Sequence, residues 1–561
     1  MARQWAAIVT VGWILVSTLA SAQSAMSTIE YIDSLPGPVL MDGVGNSHLE
    51  ISTDVKEAQR FFDQGVSLLH DFWWFEAYRS FRRAAELDPD APMPHMGLYM
   101  AADNMANLSG DEREAQLSIA IEKIAELRGN ATVREGFYLD AVTHYHEKEG
   151  DEADVAYRRE LEALLNEYPN EIEARLFLWL VLDGGFDAKG RPRDDQLYSQ
   201  LLLESELGRH PDHQGLLHYW IHNQESGRHP ESALGAANRL ASLAPNAGHI
   251  VHMPGHIHFI MGNYDAAHEQ FQRSEQADAR YMEKYGIAPI FTWNYLHNVS
   301  FLIANLAEAG RYSEAQEYAS KFASMADESD FKDYSGYTML SGRAVLEPVK
   351  VALRFGDFEA AATALREGPE YRGDDAESFA VSRAAYQAYI DGMAAAQSGQ
   401  AEVAGSALNR LDAILWRAER DDVSLRSGRV LNIASLELQG LVEHGRGEYE
   451  KAVATLQRAI ELEEELRYRE PPPYVRPVLE SLAQVHLAAG QWDEARGAYR
   501  RLLEKRKKSG FALFGLARTY ELAGSPADAR SAYRDFLASW NSADAGLEQR
   551  RHAKDWLAAN P

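Results

Sequence analysis

The sequence predicts an all-α protein, a right-handed superhelical solenoid of stacked helical hairpins, and three observations carry that expectation. Apolar residues recur at i, i+3, i+4 and i+7 through most of the chain, with almost no strand-like alternation. Short glycine-containing turns punctuate the helical pattern. The turns also repeat: Gly262-Asn-Tyr-Asp-Ala-Ala267, Gly310-Arg-Tyr-Ser-Glu-Ala315, Gly356-Asp-Phe-Glu-Ala-Ala361, Gly447-Glu-Tyr-Glu-Lys-Ala452 and Gly490-Gln-Trp-Asp-Glu-Ala495. Each offers Gly, a polar residue, an aromatic, an acid or Ser, and then a small Ala that lets two helices approach closely.

Taken in chain order, the N-terminus carries Arg3, an apolar stretch from Trp5 to Leu19, and then Ala20-Ser21-Ala22, the small-x-small pattern of signal cleavage. Residues 1–22 read as a cleaved secretory signal, with an uncleaved anchor helix as the alternative, so the expected location is periplasmic or secreted. Residues 23–54 read as an extended segment, 55–371 as a first repeat array and 372–561 as a second, with a soft boundary at Arg372-Gly-Asp-Asp375. No later stretch approaches the roughly 20 apolar residues that span a bilayer.

The first hairpin sets Gly65, Leu68, Ala77, Phe81, Ala84 and Pro89 at the spacing of the tetratricopeptide repeat. Near the other end Ala495, Tyr499 and Leu502 recur 34 residues later as Ala529, Tyr533 and Phe536. Ala233 to Ala267 is again 34, whereas Ala267 to Ala315 is 48, so the period drifts in between. With Phe62-Asp-Gln-Gly65, His252-Met-Pro-Gly-His256 and Glu470-Pro-Pro-Pro-Tyr474 followed by Gly510-Phe-Ala-Leu-Phe-Gly-Leu516, most of the chain resembles a bacterial family of divergent tetratricopeptide proteins. That resemblance implies a fold and leaves the activity open.

Composition narrows the chemistry. Acidic residues outnumber basic ones by 84 to 56, a formal charge of -28, which repels a phosphate backbone and argues against a nucleic-acid partner. There is no cysteine, so disulfides, thiolate metal ligands and cysteine nucleophiles are excluded. Any metal must be held by His, carboxylate or Met.

Eleven of the nineteen histidines fall between His210 and His297. His218 and His222 lie four apart, on one face of a helix, and His252 and His256 do the same. The second pair follows the first by 34 residues, as the turn alanines 233 and 267 do, so the pairs occupy equivalent places in consecutive repeats. By the same register His249 and His297 fall at position 2 of successive repeats. The resemblance implies that positions 2, 5 and 9 line a concave groove, bringing six imidazoles onto one stretch of it.

Three readings follow. In the first, His218, His222, His252 and His256, completed by His249 or His297, bind a transition ion: zinc, copper, nickel or iron. In the second, a metal-free groove uses the histidines to hold a peptide or protein. In the third they are satisfied interhelical histidines, a reading that suits lone residues such as His70, His95, His444 and His486. Asn223, Glu225 and Asn298 are candidates for fixing imidazole tautomers, and Glu225 is the nearest candidate base for a metal-dependent reaction. Met253 is a candidate soft ligand or a space filler. Pro254 is expected to end or kink its helix unless it sits in an N-terminal turn, which would move His249 off the groove. Phe72-Trp-Trp-Phe75 reads as a cap on the first repeat, and the basic stretch Arg500 to Lys508 as a solvated helix face.

Overall fold

The computed structural model describes residues 26–182, 184–187, 190–328, 337–369, 376–423, 425, 428–466 and 471–561. The signal sequence expected over Met1 to Ala22, the boundary segment 372–375 and Glu470 lie outside them. Among the described residues there are 26 α-helices and no strand beyond an isolated bridge between Phe186 and Pro192.

The repeated turns explain the hairpins. Gly262, Gly310, Gly356, Gly447 and Gly490 all adopt left-handed backbone, with φ of 69, 76, 71, 79 and 71°. A side chain at such a position clashes with the following carbonyl, so glycine is favoured there. The residue after each glycine donates its N–H five residues back, as from Asn263 to His258 at 2.8 Å and from Arg311 to Leu306 at 2.9 Å. Carbonyls that a helix end leaves unpaired are satisfied in this way. The second helix of each hairpin then starts at the aromatic: Tyr264, Tyr312, Phe358, Tyr449 and Trp492. The alanine three positions on, at 267, 315, 361, 452 and 495, is fully buried. A larger side chain there would push the two helices apart.

The first hairpin pairs the helices Lys56–His70 and Trp74–Leu87. Phe81, buried between Gly65 and Gly97, approaches so closely that a Cβ on either glycine would lie 2.5 or 2.4 Å from its ring. Its turn differs from the others. Phe72 takes the glycine's place at φ 55°, and Trp73 donates its N–H to Leu68 at 2.8 Å. An L-residue in this conformation costs roughly 1–2 kcal/mol.

One hydrophobic core runs from Tyr31 to Val351, a second from Val345 to Ala512 and a third from Ala517 to Ala553. The core therefore changes over within the helix Tyr337–Phe355, ahead of the soft boundary at 372. The N-terminal segment is not wholly extended, because Thr28–Ser34 is helical and capped by Ser27 and Glu30. Tyr31 from this helix stacks on Phe291 with centroids 3.7 Å apart.

The C-terminal repeats fold back on the middle of the chain. Trp540 Nε1 donates to the Glu308 carbonyl at 2.9 Å, and Asp544 N to that of Gly310 at 3.0 Å. Arg354 lies between the carboxylates of Glu308 and Glu480, each at 2.8 Å, and Arg506 joins Glu308 at 3.0 Å. These charges are buried, so each needs its partners in place. Much of the basic stretch is exposed, as a solvated face would be, with Arg501 and Lys505 pairing with Glu464 of the preceding hairpin, while Arg506 and Lys508 reach this seam and Lys508 Nζ donates to Asn263 Oδ1 at 2.5 Å. Two of the recurring motifs are accounted for by packing. Gly510 makes room for Trp540 and Gly515 for Tyr499, while Tyr474 is buried and donates to Glu437 at 2.5 Å.

Candidate metal centre

Three neighbouring helices, Gln214–Glu225, Gly248–Ile260 and Trp293–Glu308, supply the six histidines singled out by their register. The i, i+4 spacing puts His218 and His222 on one face, with Nε2 atoms 3.0 Å apart. It does the same for His252 and His256, whose Nε2 atoms are 2.5 Å apart. Each pair gains a third imidazole from the first turn of the next helix. His218, His222 and His249 form one group and His252, His256 and His297 the other, the ligand atoms within each group lying within 4.8 Å of one another. The groups adjoin, with ring centroids of His249 and His252 at 5.7 Å and of His222 and His256 at 6.1 Å.

Pro254 does not break this register. The helix runs from Gly248 to Ile260 straight through it and is buried from Gly248 to Ile257. Packing on every side holds the turn that lacks one N–H, and His249 stays beside His218 with centroids 5.1 Å apart.

The open groove is where the expectation fails. His218, His252 and His256 are fully buried, His249 is 2% exposed and His297 8%. The first hairpin and the neighbouring aromatics cover the cluster. Phe72 lies 4.7 Å from His218, 5.5 Å from His222 and 5.7 Å from His249, ring to ring. Trp293 stacks on Trp74 at 4.9 Å, flanks His249 and His297, and donates Nε1–H to the Phe72 carbonyl at 2.8 Å. Phe72, with Trp74 backing Trp293, is thus a wall of the histidine cluster as well as part of the turn of the first repeat. Sequence reasoning had one clue to this, a phenylalanine where the five repeated turns have glycine.

The outer hydrogen bonds assign the tautomers. His218 Nδ1 lies 2.5 Å from the carbonyl oxygen of His70, which only accepts, so Nδ1 carries the hydrogen. Asn298 donates its amide N–H to the Phe271 carbonyl at 2.8 Å, which turns its oxygen toward His252 Nδ1 at 2.7 Å and makes that nitrogen a donor as well. Glu225 accepts from His222 Nδ1 at 2.7 Å through one oxygen and from His256 Nδ1 at 2.9 Å through the other. All four imidazoles thus commit Nδ1–H to an outer acceptor, and within each pair the Nε2 atoms face one another. His249 is buried with neither ring nitrogen hydrogen-bonded. Buried polar atoms are ordinarily satisfied, and six converging imidazoles with no thiolate are a donor set that suits a transition ion.

Burial amid other imidazoles holds His218 and His249 well below the usual histidine range, the proximity of His222 and of His218, respectively, adding to the effect. Both stay neutral, the form that ligates metal.

Of the other candidates, Glu225 serves as a positioning residue, since each of its oxygens is engaged by an imidazole. Asn223 turns away, donating to Ser199 Oγ at 2.8 Å. Met253 belongs to the hydrophobic core. His70 has its ring satisfied by Glu173 at 2.5 Å and Tyr219 at 3.0 Å, while its carbonyl orients His218. A backbone carbonyl has no residue-type signature, so that role was invisible in the sequence. The remaining histidines of the rich stretch stand apart; His213 pairs with Glu173 and His229 with Glu231.

Beyond Glu225, between the central helices and the C-terminal repeats, lies a cavity of about 770 Å³. Its walls include Phe259, Tyr264, Tyr474, Arg193 and Lys507. Burial pushes the Glu463 carboxyl on this wall up to about 7.

Paired helices closed by glycine–aromatic turns define a helical-repeat solenoid. Residues 430–508 match the model of the tetratricopeptide repeat family. Among solved structures, a tetratricopeptide repeat protein from Parabacteroides merdae is 12% identical, covering 56% of this chain and 98% of its own, with a TM-score of 0.28. The APC/C hetero-tetramer Cut9–Hcn1 is 14% identical over 89% and 96%, with a TM-score of 0.31. The human IFIT1 dimer with m7Gppp-AAAA is 13% identical over 89% and 92%, with a TM-score of 0.33. The comparison with curated proteins gives no match. No helix among the described residues is long and apolar enough to cross a membrane.

Proposed function

We propose that this protein is an exported, metal-binding tetratricopeptide-repeat protein whose six-histidine cluster holds a transition metal. One observation carries the reading: His218, His252 and His256, which are buried, and the half-buried His222 all commit Nδ1–H to outer acceptors, so their Nε2 atoms converge in facing pairs. Facing Nε2 atoms at such distances are held together by a positive charge between them, and a transition ion suits a set of imidazoles with no thiolate. The cation supplies the chemistry of a Lewis acid when bound, and Glu225, Asn298 and the His70 carbonyl hold its ligands in position. Elemental analysis of protein purified without a metal-affinity tag tests this. The parent should carry stoichiometric metal, and a still-helical variant with His218, His222, His252 and His256 all changed to Ala should carry none. An equal absence of metal from both, after incubation with zinc, copper, nickel and ferrous iron, refutes the reading. Export rests on the apolar stretch ending at Ala20-Ser21-Ala22 and is tested by finding the processed chain in the periplasmic or culture fraction.

The second reading is a metal-free scaffold that binds a peptide or protein. The cavity between the central and C-terminal repeats favours it, because its volume falls in the range of binding pockets and its wall mixes aromatic and charged side chains. Binding there by charge weakens with added salt, whereas loss of the cluster's imidazoles leaves it intact.

A further inference from the structure

We infer, on the basis of the metal-binding reading above, that the cluster is a two-ion site holding copper in its monovalent state, one ion in each three-imidazole group. The first argument is the grouping. The six ligand atoms separate into His218, His222 and His249 on one side and His252, His256 and His297 on the other, each set within 4.8 Å. Nitrogens bound to one ion at about 2 Å each lie no more than about 4 Å apart. Each trio therefore closes on its own ion with small side-chain adjustments. The arrangement is itself a repeat, a pair from one helix and a third ligand from the next, displaced by one hairpin.

The second argument is coordination number. Each group offers three imidazoles, a set that zinc completes only by recruiting a fourth ligand such as water. A monovalent copper ion has a filled d shell and accepts three nitrogen donors without a fourth ligand.

The third is charge. Imidazoles ligate metal in their uncharged form and so bring none, and Glu225 brings a single negative charge shared between His222 and His256. Two divalent ions would place four positive charges against that one carboxylate in a buried site, and two monovalent ions place two. Uncompensated charge is costly away from water, so the lower charge is favoured. Imidazole donors suit copper, which also stands highest in affinity among the divalent first-row ions once oxidised.

The test is an anaerobic titration of the metal-free full chain with cuprous ion, buffered by a chromophoric cuprous chelator, run beside zinc and ferrous iron. The parent should take up two cuprous ions in preference to zinc or iron. His249→Ala and His297→Ala should each take up one, because each loses a ligand from a different group. X-ray absorption of the cuprous parent, which needs no variant, should give three nitrogen neighbours per copper. A single ion in the parent, or four-coordinate copper, overturns the two-ion geometry. Uptake of zinc or iron with no cuprous binding overturns the copper assignment and leaves the metal-binding reading standing. Failure to bind any metal removes both.

Discussion

Glu225 accepts a hydrogen bond from His222 at 2.7 Å and another from His256 at 2.9 Å, one oxygen to each, and so ties a ligand of one histidine group to a ligand of the other.

Glu225→Gln should loosen both groups together. An amide has one accepting oxygen, so one of the two imidazole Nδ1–H groups would meet an N–H and turn away. Loss of such outer hydrogen bonds typically costs 10–100-fold in metal affinity. Competition against a chelator measures it, and an unchanged affinity would show that the carboxylate does not orient the ligands.

Phe72 carries two opposing effects, which substitution separates. Phe72→Gly relieves the left-handed backbone, whereas Phe72→Ala retains it and removes the same ring. The Gly variant should therefore be more stable than the Ala variant by about 1 kcal/mol. Both should release metal to a chelator at least about tenfold faster than the parent, since the ring that covers three imidazoles is gone. Denaturation curves and stopped-flow release supply the two measurements. A slower release from either variant would contradict a covering role.

Acid should destabilise the metal-free protein. His218 and His249 are held neutral in the folded chain, their affinity for protons lowered by burial. Below the ordinary histidine value of about 6.5, the unfolded chain takes up protons that the folded chain refuses, so stability is full above that pH and falls as the pH drops. The slope is about 1.4 kcal/mol per pH unit for each imidazole. Urea midpoints at pH 7.5, 6.0 and 5.0 should fall in that order, with a shallower fall in a His218→Asn, His249→Asn double variant.

Asp278 acts in the opposite sense. Burial pushes its carboxyl up to about 8, and neither oxygen has a hydrogen-bond partner. The folded chain keeps the proton while the unfolded chain releases it near pH 4, so stability is lost as pH rises between those values. Asp278→Asn removes the penalty and should raise stability at pH 7 by up to about 4 kcal/mol, with little change at pH 4. Thermal denaturation at the two pH values tests this, and an equal shift at both would place the effect elsewhere.

The hairpin turns, their helix starts and the pairing of His218 with His222 and of His252 with His256 were legible in the sequence because they depend on neighbours close along the chain. A left-handed cap demands glycine within one residue, and an i, i+4 pair shares a helix face whatever surrounds it. Counting from the turn alanines 233, 267 and 315 extended that reach to the next repeat, far enough to bring His249 and His297 to the cluster.

The sequence by itself determined the solenoid and the membership of the histidine cluster, since both follow from periodicity. Tertiary structure alone decided that the cluster is closed rather than a groove. It also decided that Phe72 holds a strained turn against three imidazoles, and that the His70 carbonyl, 148 residues away along the chain, orients His218. It brought Arg506 and Lys508, from an otherwise exposed basic stretch, against Glu308 and Asn263 in the middle of the molecule. These relationships arise where segments distant in sequence meet, and burial there sets which nitrogen carries the hydrogen and which charge finds a partner.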